Sequence, residues 1–355
     1  MQVGIVGLPN VGKSTLFKAL TKKQVDTANY PFCTIDPNVG VVAVPDERLE
    51  KLSAVSHSEK IIPATIEFVD IAGLVKNAHK GEGLGNQFLA NIREVDAIVE
   101  VIRDFQDENV IHVEGSVNPE RDKDIIHLEL IMADLATVEK RIRSAEHEIK
   151  SGDKNALKLF GTLKIIKKTL EQGRLANEIG LTDEQKKSVK ELGLLTLKPI
   201  IYVKNIDDAL QSNTPDTLSP NTSDIISINA KLEAELADLP ETELKEYLKE
   251  LNITVTGLDK LITASYNILG LITFLTSGPK ETRAWTIKRG AKAPEAAAVI
   301  HTDFEKGFIR AEVCNWQDFI KYDGDLGVKE KGLMRLEGKD YTIQDGDTIY
   351  FRVST

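Results

Sequence analysis

Two cysteines, Cys33 and Cys314, are all that 355 residues contain. Neither a disulfide framework nor a Cys-rich zinc site is available, and this usage suits a reducing cytosol. No segment reaches the roughly 18 apolar residues of a membrane span, so no membrane partner is expected. The run Met1-Gln2-Val3-Gly4-Ile5-Val6 carries no basic region and no cleavage signature of an export signal. A surplus of positive charge is also missing, since the net charge is −10. That balance argues against a general nucleic-acid binder, and DNA is not expected, although a local basic patch would not show in the sum. What remains is the balance of a globular chain, 41% hydrophobic and 28% charged. The length suggests two or three domains, each able to bury a core.

Short apolar runs alternate with helical patterns over the first 120 or so residues. Val3 to Val6, Ile66 to Ile71, Ala97 to Ile102 and Pro199 to Val203 read as buried strands of a parallel sheet covered on both faces. Between them lies a different texture. Leu128, Ile131, Leu135, Val138, Ile142, Ala145 and Ile149 follow the alternating three–four spacing of a coiled-coil seam. Ser151-Gly152-Asp153 breaks it, and Leu159, Leu163, Ile166 and Leu170 resume it, which predicts two antiparallel helices. Thr182 and Gln185 fit the capping box of a further short helix. Residues 205–272 return to the α/β style, with a solvated loop around Pro215, Ser219 and Pro220. The last 80 or so residues read as a small α+β module. Its strands are predicted at Ala284 to Ile287, Gly307 to Val313 and Thr348 to Val353, with a helix from Ala293 to His301.

Gly7-Leu8-Pro9-Asn10-Val11-Gly12-Lys13-Ser14 matches G-x-x-x-x-G-K-[ST] between a predicted strand and a predicted helix, the context that this motif requires. Glycines let backbone N–H groups curl around phosphates, and the helix N-terminus adds its positive end. Asn10, Val11, Gly12, Lys13, Ser14 and Thr15 are thus the expected phosphate cradle. Lys13 would reach the β- and γ-phosphates and Ser14 would ligate Mg²⁺ through its hydroxyl. Asp70-Ile71-Ala72-Gly73 ends the strand about 60 residues later. An Asp there holds Mg²⁺, often through water, and the Gly73 N–H is placed for the γ-phosphate. Thr34, in the loop Pro31 to Pro37, would complete the Mg²⁺ shell. Cys33 beside it reads as a packing residue.

The base-recognition signals conflict. Guanine specificity is usually carried by N-K-x-D, and here Asn205-Ile206-Asp207-Asp208 keeps the outer residues while Ile206 replaces the lysine. Asn229-Ala230-Lys231 is close to a second guanine loop. The residues alone leave ATP and GTP evenly matched. Leu74 stands after Gly73, where many GTPases place a water-orienting glutamine, so slow turnover is expected. Another group, a monovalent ion or a partner must then place the water; His79, inside the stretch that runs to Gly85, is the nearest imidazole and one candidate, and otherwise a solvated loop residue. Asn10 permits a K⁺ site. A nucleotide-gated binding module with incidental hydrolysis is a competing reading, and a nucleoside kinase is weakened by the D-x-x-G element.

Together these residues resemble the YchF/Obg-like ATPase family of translation-factor-related P-loop proteins. The resemblance rests on the loop Gly7 to Ser14, on Pro31 to Asn38, on Asp70 to Lys76 and on Lys80 to Asn86. Toward the other end it rests on Arg283 to Thr286, Ile300 to Glu312 and Leu336 to Tyr341. It implies an α/β P-loop NTPase (G) domain over residues 1–121 and 198–272. An inserted antiparallel α-helical coiled-coil domain over 122–197 and a C-terminal α+β β-grasp (TGS) domain over 273–355 are also implied. It further implies ATP as the preferred nucleotide, a cytoplasmic protein and association with the ribosome through the insert and the TGS domain. A monomer is expected. In that family the base loop is N-x-x-E, so Asn205 and Ile206 would face adenine. Asp208 and Lys231 depart from that pattern toward the guanine one.

Overall fold

A computed structural model describes residues 1–24, 38–71, 84–107, 109–207, 225–250 and 253–354. The first third of the chain gives β1 (Gln2–Val6), α1 (Lys13–Lys22), β2 (Val39–Ala43), α2 (Arg48–Ser56), β3 (Lys60–Ile62), β4 (Thr65–Asp70), α3 (Leu84–Glu94) and β5 (Ala97–Asp104). The middle gives α4 (Pro119–Lys150), α5 (Lys154–Glu171), α6 (Asp183–Val189), β6 (Ile200–Ile206), β7 (Ile225–Ile228), α7 (Ala230–Leu236), α8 (Glu241–Glu250) and α9 (Gly257–Ile268). The last stretch gives β8 (Leu271–Ser277), β9 (Glu281–Lys288), α10 (Ala293–Ile300), α11 (Thr302–Lys306), β10 (Phe308–Asn315), α12 (Trp316–Lys321), α13 (Asp325–Glu330), β11 (Arg335–Glu337) and β12 (Asp347–Val353). Among the described residues no helix is long and apolar enough to cross a membrane.

Contacts divide the chain into two compact units. One comprises Met1–Lys22, Ile35–Gly40 and Glu67–Lys260, the other Lys23–Thr34, Val41–Ile66 and Leu261–Thr355. Residues 41–66, which the sequence expectation kept with the amino-terminal domain, therefore cluster with the carboxy-terminal stretch.

The first unit is built on a sheet of order β2-β4-β1-β5-β6-β7. From β4 to β7 every pairing is parallel, with Ile5 opposite Asp70, Val6 opposite Glu100 and Asp104 opposite Ile206. Its central strands are apolar on both faces, as strands covered by helices on each side must be. Val3, Ile5, Ile98, Val99, Ile201 and Val203 are buried, and α1 contributes Leu16, Ala19 and Leu20. This topology carries the ends of β1, β4, β5 and β6 to one edge of the sheet, the position at which such folds bind ligands.

α4 and α5 form a helical hairpin across Ser151-Gly152-Asp153, each entered through a capped N-terminus. Asn118 caps α4 ahead of Pro119, and Asp153 accepts from Asn155 and Ala156. Thr182 caps α6 with Gln185 reaching back, as their spacing predicts. The first half of α4 packs on the sheet rather than on α5. Ile126, Glu129, Leu130, Ala133 and Asp134 are buried while Leu128 is 55% exposed. His127 Nε2 lies 3.2 Å from Glu100 Oε2 and 3.1 Å from Tyr202 Oη, and burial pushes the Glu100 carboxyl up from the usual range. Asp134 accepts from Leu195 N at 3.0 Å, Thr196 N at 2.8 Å and Thr196 Oγ1 at 2.6 Å. The α5-facing seam takes over further along, at Val138 and Ala145 against Leu163, Ile166 and Leu170, all buried.

The second unit has a sheet of order β11-β10-β12-β8-β9-β3. β8 and β9 form an antiparallel hairpin, β12 runs parallel to β8, and β3 adds to the edge with Lys60 opposite Glu281. One face packs on α10, with Phe274, Ile287, Ala293, Ala297, Ala311, Val313 and Ile349 in its core. Cys314 is buried, and burial pushes its thiol up to about 12, so it is a packing residue without thiolate character at neutral pH.

Candidate functional site

The turn from β1 to α1 requires backbone that few residues adopt. Asn10 has φ 63° and Gly12 φ 99°. A Cβ on Gly12 would lie 2.2 Å from Asn205 Nδ2, so the glycine is needed for close approach as well as for its dihedral. Lys13 is 8% exposed, and its Nζ donates to Leu8 O at 2.7 Å. Burial lowers its pKa to about 8 against the opposing charge of Asp70. Desolvation likewise raises the Asp70 carboxyl, with Lys13 pulling the other way. Each is thus the other's electrostatic partner. The pairing of Ile5 with Asp70 sets that carboxylate beside the strand that feeds the loop. Ser14 and Thr15 are exposed in the first turn of α1.

Asn205, 6% exposed at the end of β6, joins three segments. Its Nδ2 donates to Val11 O at 3.0 Å, and its Oδ1 accepts from Ala230 N at 3.0 Å. Asn229 continues the tie, donating to Asp207 O at 2.8 Å and capping α7 through Leu232 N. Against these loops lies a cavity of about 390 Å³. Gly12 and Thr15 of the α1 turn, Phe105, Asp107 and Val110 after β5, and Asn205, Ile206, Ala230 and Lys231 are among its lining residues.

The structure therefore brings Asn10, Val11, Gly12, Lys13, Ser14, Thr15, Asp70, Asn205 and Ile206 to one edge of the sheet. Asn10 donates its amide to Ile111 O at 3.1 Å. Thr34, Gly73, Leu74, His79 and Asp208 lie outside the described residues. The sequence reading missed the lining residues Phe105, Gln106, Asp107 and Val110 and their buried neighbour Arg103, for which no motif exists.

Hydroxyl and carboxylate oxygens are hard donors of the kind that Mg²⁺ takes, usually in ones and twos beside phosphate oxygens and water. Ser14 and Asp70 fit that donor set. Among the described residues no group of three or more His, Cys, Asp or Glu gathers as an all-protein metal cage.

Residues 2–137 match the family model of the 50S ribosome-binding GTPase, and residues 271–354 match the YchF-GTPase C-terminal model, described as a protein of unknown function. The ribosome-binding ATPase YchF of Bacillus subtilis is 50% identical over 361 residues, covering 99% of each chain. The chain belongs to the YchF family. The protein named ribosome-binding ATPase YchF in Escherichia coli O157:H7 is 48% identical over 354 residues, covering 98% of each chain. The solved structure of the Schizosaccharomyces pombe YchF GTPase superposes with a TM-score of 0.87 at 38% identity, covering 99% of this chain and 97% of that one. Membership in the YchF family makes this chain a P-loop nucleotide hydrolase of the GTPase fold class. Its relatives carry both labels, ATPase and GTPase.

Proposed function

We propose that this chain is a cytosolic, monomeric, Mg²⁺-dependent ATPase switch that binds the ribosome. The observation that carries the nucleotide choice is the lining of the 390 Å³ cavity beside the loop. Phe105 and Ile206 offer the base apolar and aromatic surface there, and the lysine that covers guanine in N-K-x-D proteins is replaced by Ile206. Asn205 is neutral in that choice, because its amide is spent on Val11 and Ala230, joining the phosphate loop to the start of α7.

When bound, Mg²⁺ would neutralise charge on the β- and γ-phosphate oxygens, held by Ser14 and Thr34 with Asp70 supporting it through water. Lys13 stabilises the negative charge of the phosphates as water attacks the γ-phosphorus and the bond to the ADP oxygen breaks. The backbone N–H groups from Asn10 to Thr15 complete the cradle, and the Gly73 N–H meets the γ-phosphate. Leu74 cannot orient water, so turnover is slow, and His79 is the group assigned to that task. The α4–α5 hairpin serves as the coiled-coil insert and the second unit as the TGS domain. Ribosome binding follows the names of the relatives, and the hairpin and the TGS domain are the parts proposed to carry it.

Equilibrium titration with labelled ATP and GTP in Mg²⁺ tests the nucleotide choice. ATP is expected to bind more tightly; tight GTP with no measurable ATP binding reverses it. The second reading, a GTPase, is favoured by Lys231 in the cavity wall. Asn205→Ala is expected to weaken ATP and GTP binding equally, by about tenfold, since two buried hydrogen bonds that join the phosphate loop to β6 and α7 are lost. A change confined to one nucleotide would make Asn205 a base reader instead.

A further inference from the structure

Arg103 is 2% exposed, and among the described residues its hydrogen bonds all go to backbone carbonyls. A cation taken out of water without a counter-charge is costly unless fixed dipoles replace its hydration. Here they do. Nε donates to Phe105 O at 3.2 Å, Nη1 to Val110 O at 2.9 Å and to Asn10 O at 3.5 Å, and Nη2 to Asp107 O at 3.4 Å. The guanidinium carbon also lies 4.3 Å from the centre of the Phe105 ring, covering one of its faces. The four carbonyls belong to two segments, the phosphate loop at Asn10 and the cavity wall at Phe105, Asp107 and Val110. Among the described residues the other hydrogen bonds of that wall run from Gln106 N to Asp207, from Asn109 N to Asp107 and from Val110 N to Asp107 O.

We propose that Arg103 is a positioning residue for nucleotide binding, clamping the cavity-lining residues Phe105, Asp107 and Val110 to the phosphate loop. The proposal rests on the reading that this cavity takes the nucleoside. The planar fork suits the task because it reaches carbonyls in several directions at once, which an ammonium group does not. Three of its four carbonyl partners, Phe105, Asp107 and Val110, line or adjoin the cavity and only the longest contact reaches Asn10, so affinity for ATP and ADP should depend on it alike and the hydrolytic step far less.

The test uses the full chain with Mg²⁺ and labelled ATP and ADP. Arg103→Met keeps most of the buried bulk and removes the donors. It is expected to raise Kd for both nucleotides about tenfold or more, by the same factor, with kcat at saturating ATP within about twofold of the parent. Arg103→Lys should fall between the two. Wild-type affinity in Arg103→Met, or a lower kcat and bound fraction at unchanged Kd, overturns the proposal, because a purely structural role predicts the latter. Should Arg103→Met fail to fold, wild-type affinity in a folded Arg103→Lys overturns it equally. Ile206→Trp, which fills the cavity, separates the two layers. Lost binding there upholds the cavity reading and leaves Arg103 to be judged by its own variants, whereas unchanged binding removes both.

Discussion

Lys13→Ala is expected to lower kcat/KM for nucleotide hydrolysis by about 10²–10³-fold, the usual consequence of removing one preorganised group that stabilises developing charge. The side chain is 8% exposed and its ammonium rests on Leu8 O at 2.7 Å, so it is already held over the loop and little rotamer freedom remains to be lost when phosphate arrives. Burial brings its pKa to about 8, which marks a site where a cation lacks solvent and a phosphate would be strongly attracted. The fold should survive. Leu16, Ala19 and Leu20 anchor α1 independently, and the alanine removes a side-chain bond without leaving a buried backbone donor. Phosphate release at saturating and subsaturating ATP measures the effect, with far-ultraviolet circular dichroism as the control for folding. A well-folded variant with the parent's rate would remove Lys13 from the mechanism.

Asp134→Ala is expected to be the costliest single change in the nucleotide-binding unit, by about 3–5 kcal/mol. The carboxylate is fully buried in the middle of α4 and collects three donors from Leu195 and Thr196. Alanine leaves two backbone N–H groups and a hydroxyl facing each other without an acceptor. Burial pushes the Asp134 carboxyl up, and those three bonds hold it back. Asp134→Asn keeps one acceptor and should cost about half as much. Urea unfolding must be followed by circular dichroism, because Trp285 and Trp316, the only tryptophans, both lie in the other unit and would report the wrong transition. An Asp134→Ala midpoint equal to the parent's would contradict the account.

What could be read in advance follows from the range of the forces involved. The phosphate loop declares itself because its chemistry needs particular residues within eight positions, and Thr182 with Gln185 declares a helix start for the same local reason. The alternating seam along α4 was legible only in part. Leu128 fits the heptad yet is 55% exposed, because the first half of the helix is turned toward β5 and Thr196 by His127 and Asp134. Its buried face there is a broader stripe through Ile126, Leu130 and Ala133. Arg103 was invisible for a stronger reason: a polar residue ending a strand normally marks the point where the chain meets water. Only the convergence of carbonyls from distant positions turns that end inward.

β3 carries a consequence for how the molecule comes into being. This three-residue strand finds its partner in β9, which is made more than 200 residues later. α2 waits alongside it, with the buried Leu49 and Leu52 on its inner side. During synthesis α2 and β3 emerge early, and β3 must remain unpaired until β9 has left the ribosome. Growth order and assembly order therefore differ, and a fragment ended at residue 272 would strand the buried side of an amphipathic helix and an orphaned strand. The carboxy-terminal module is completed by residues that were translated before most of the nucleotide-binding sheet existed.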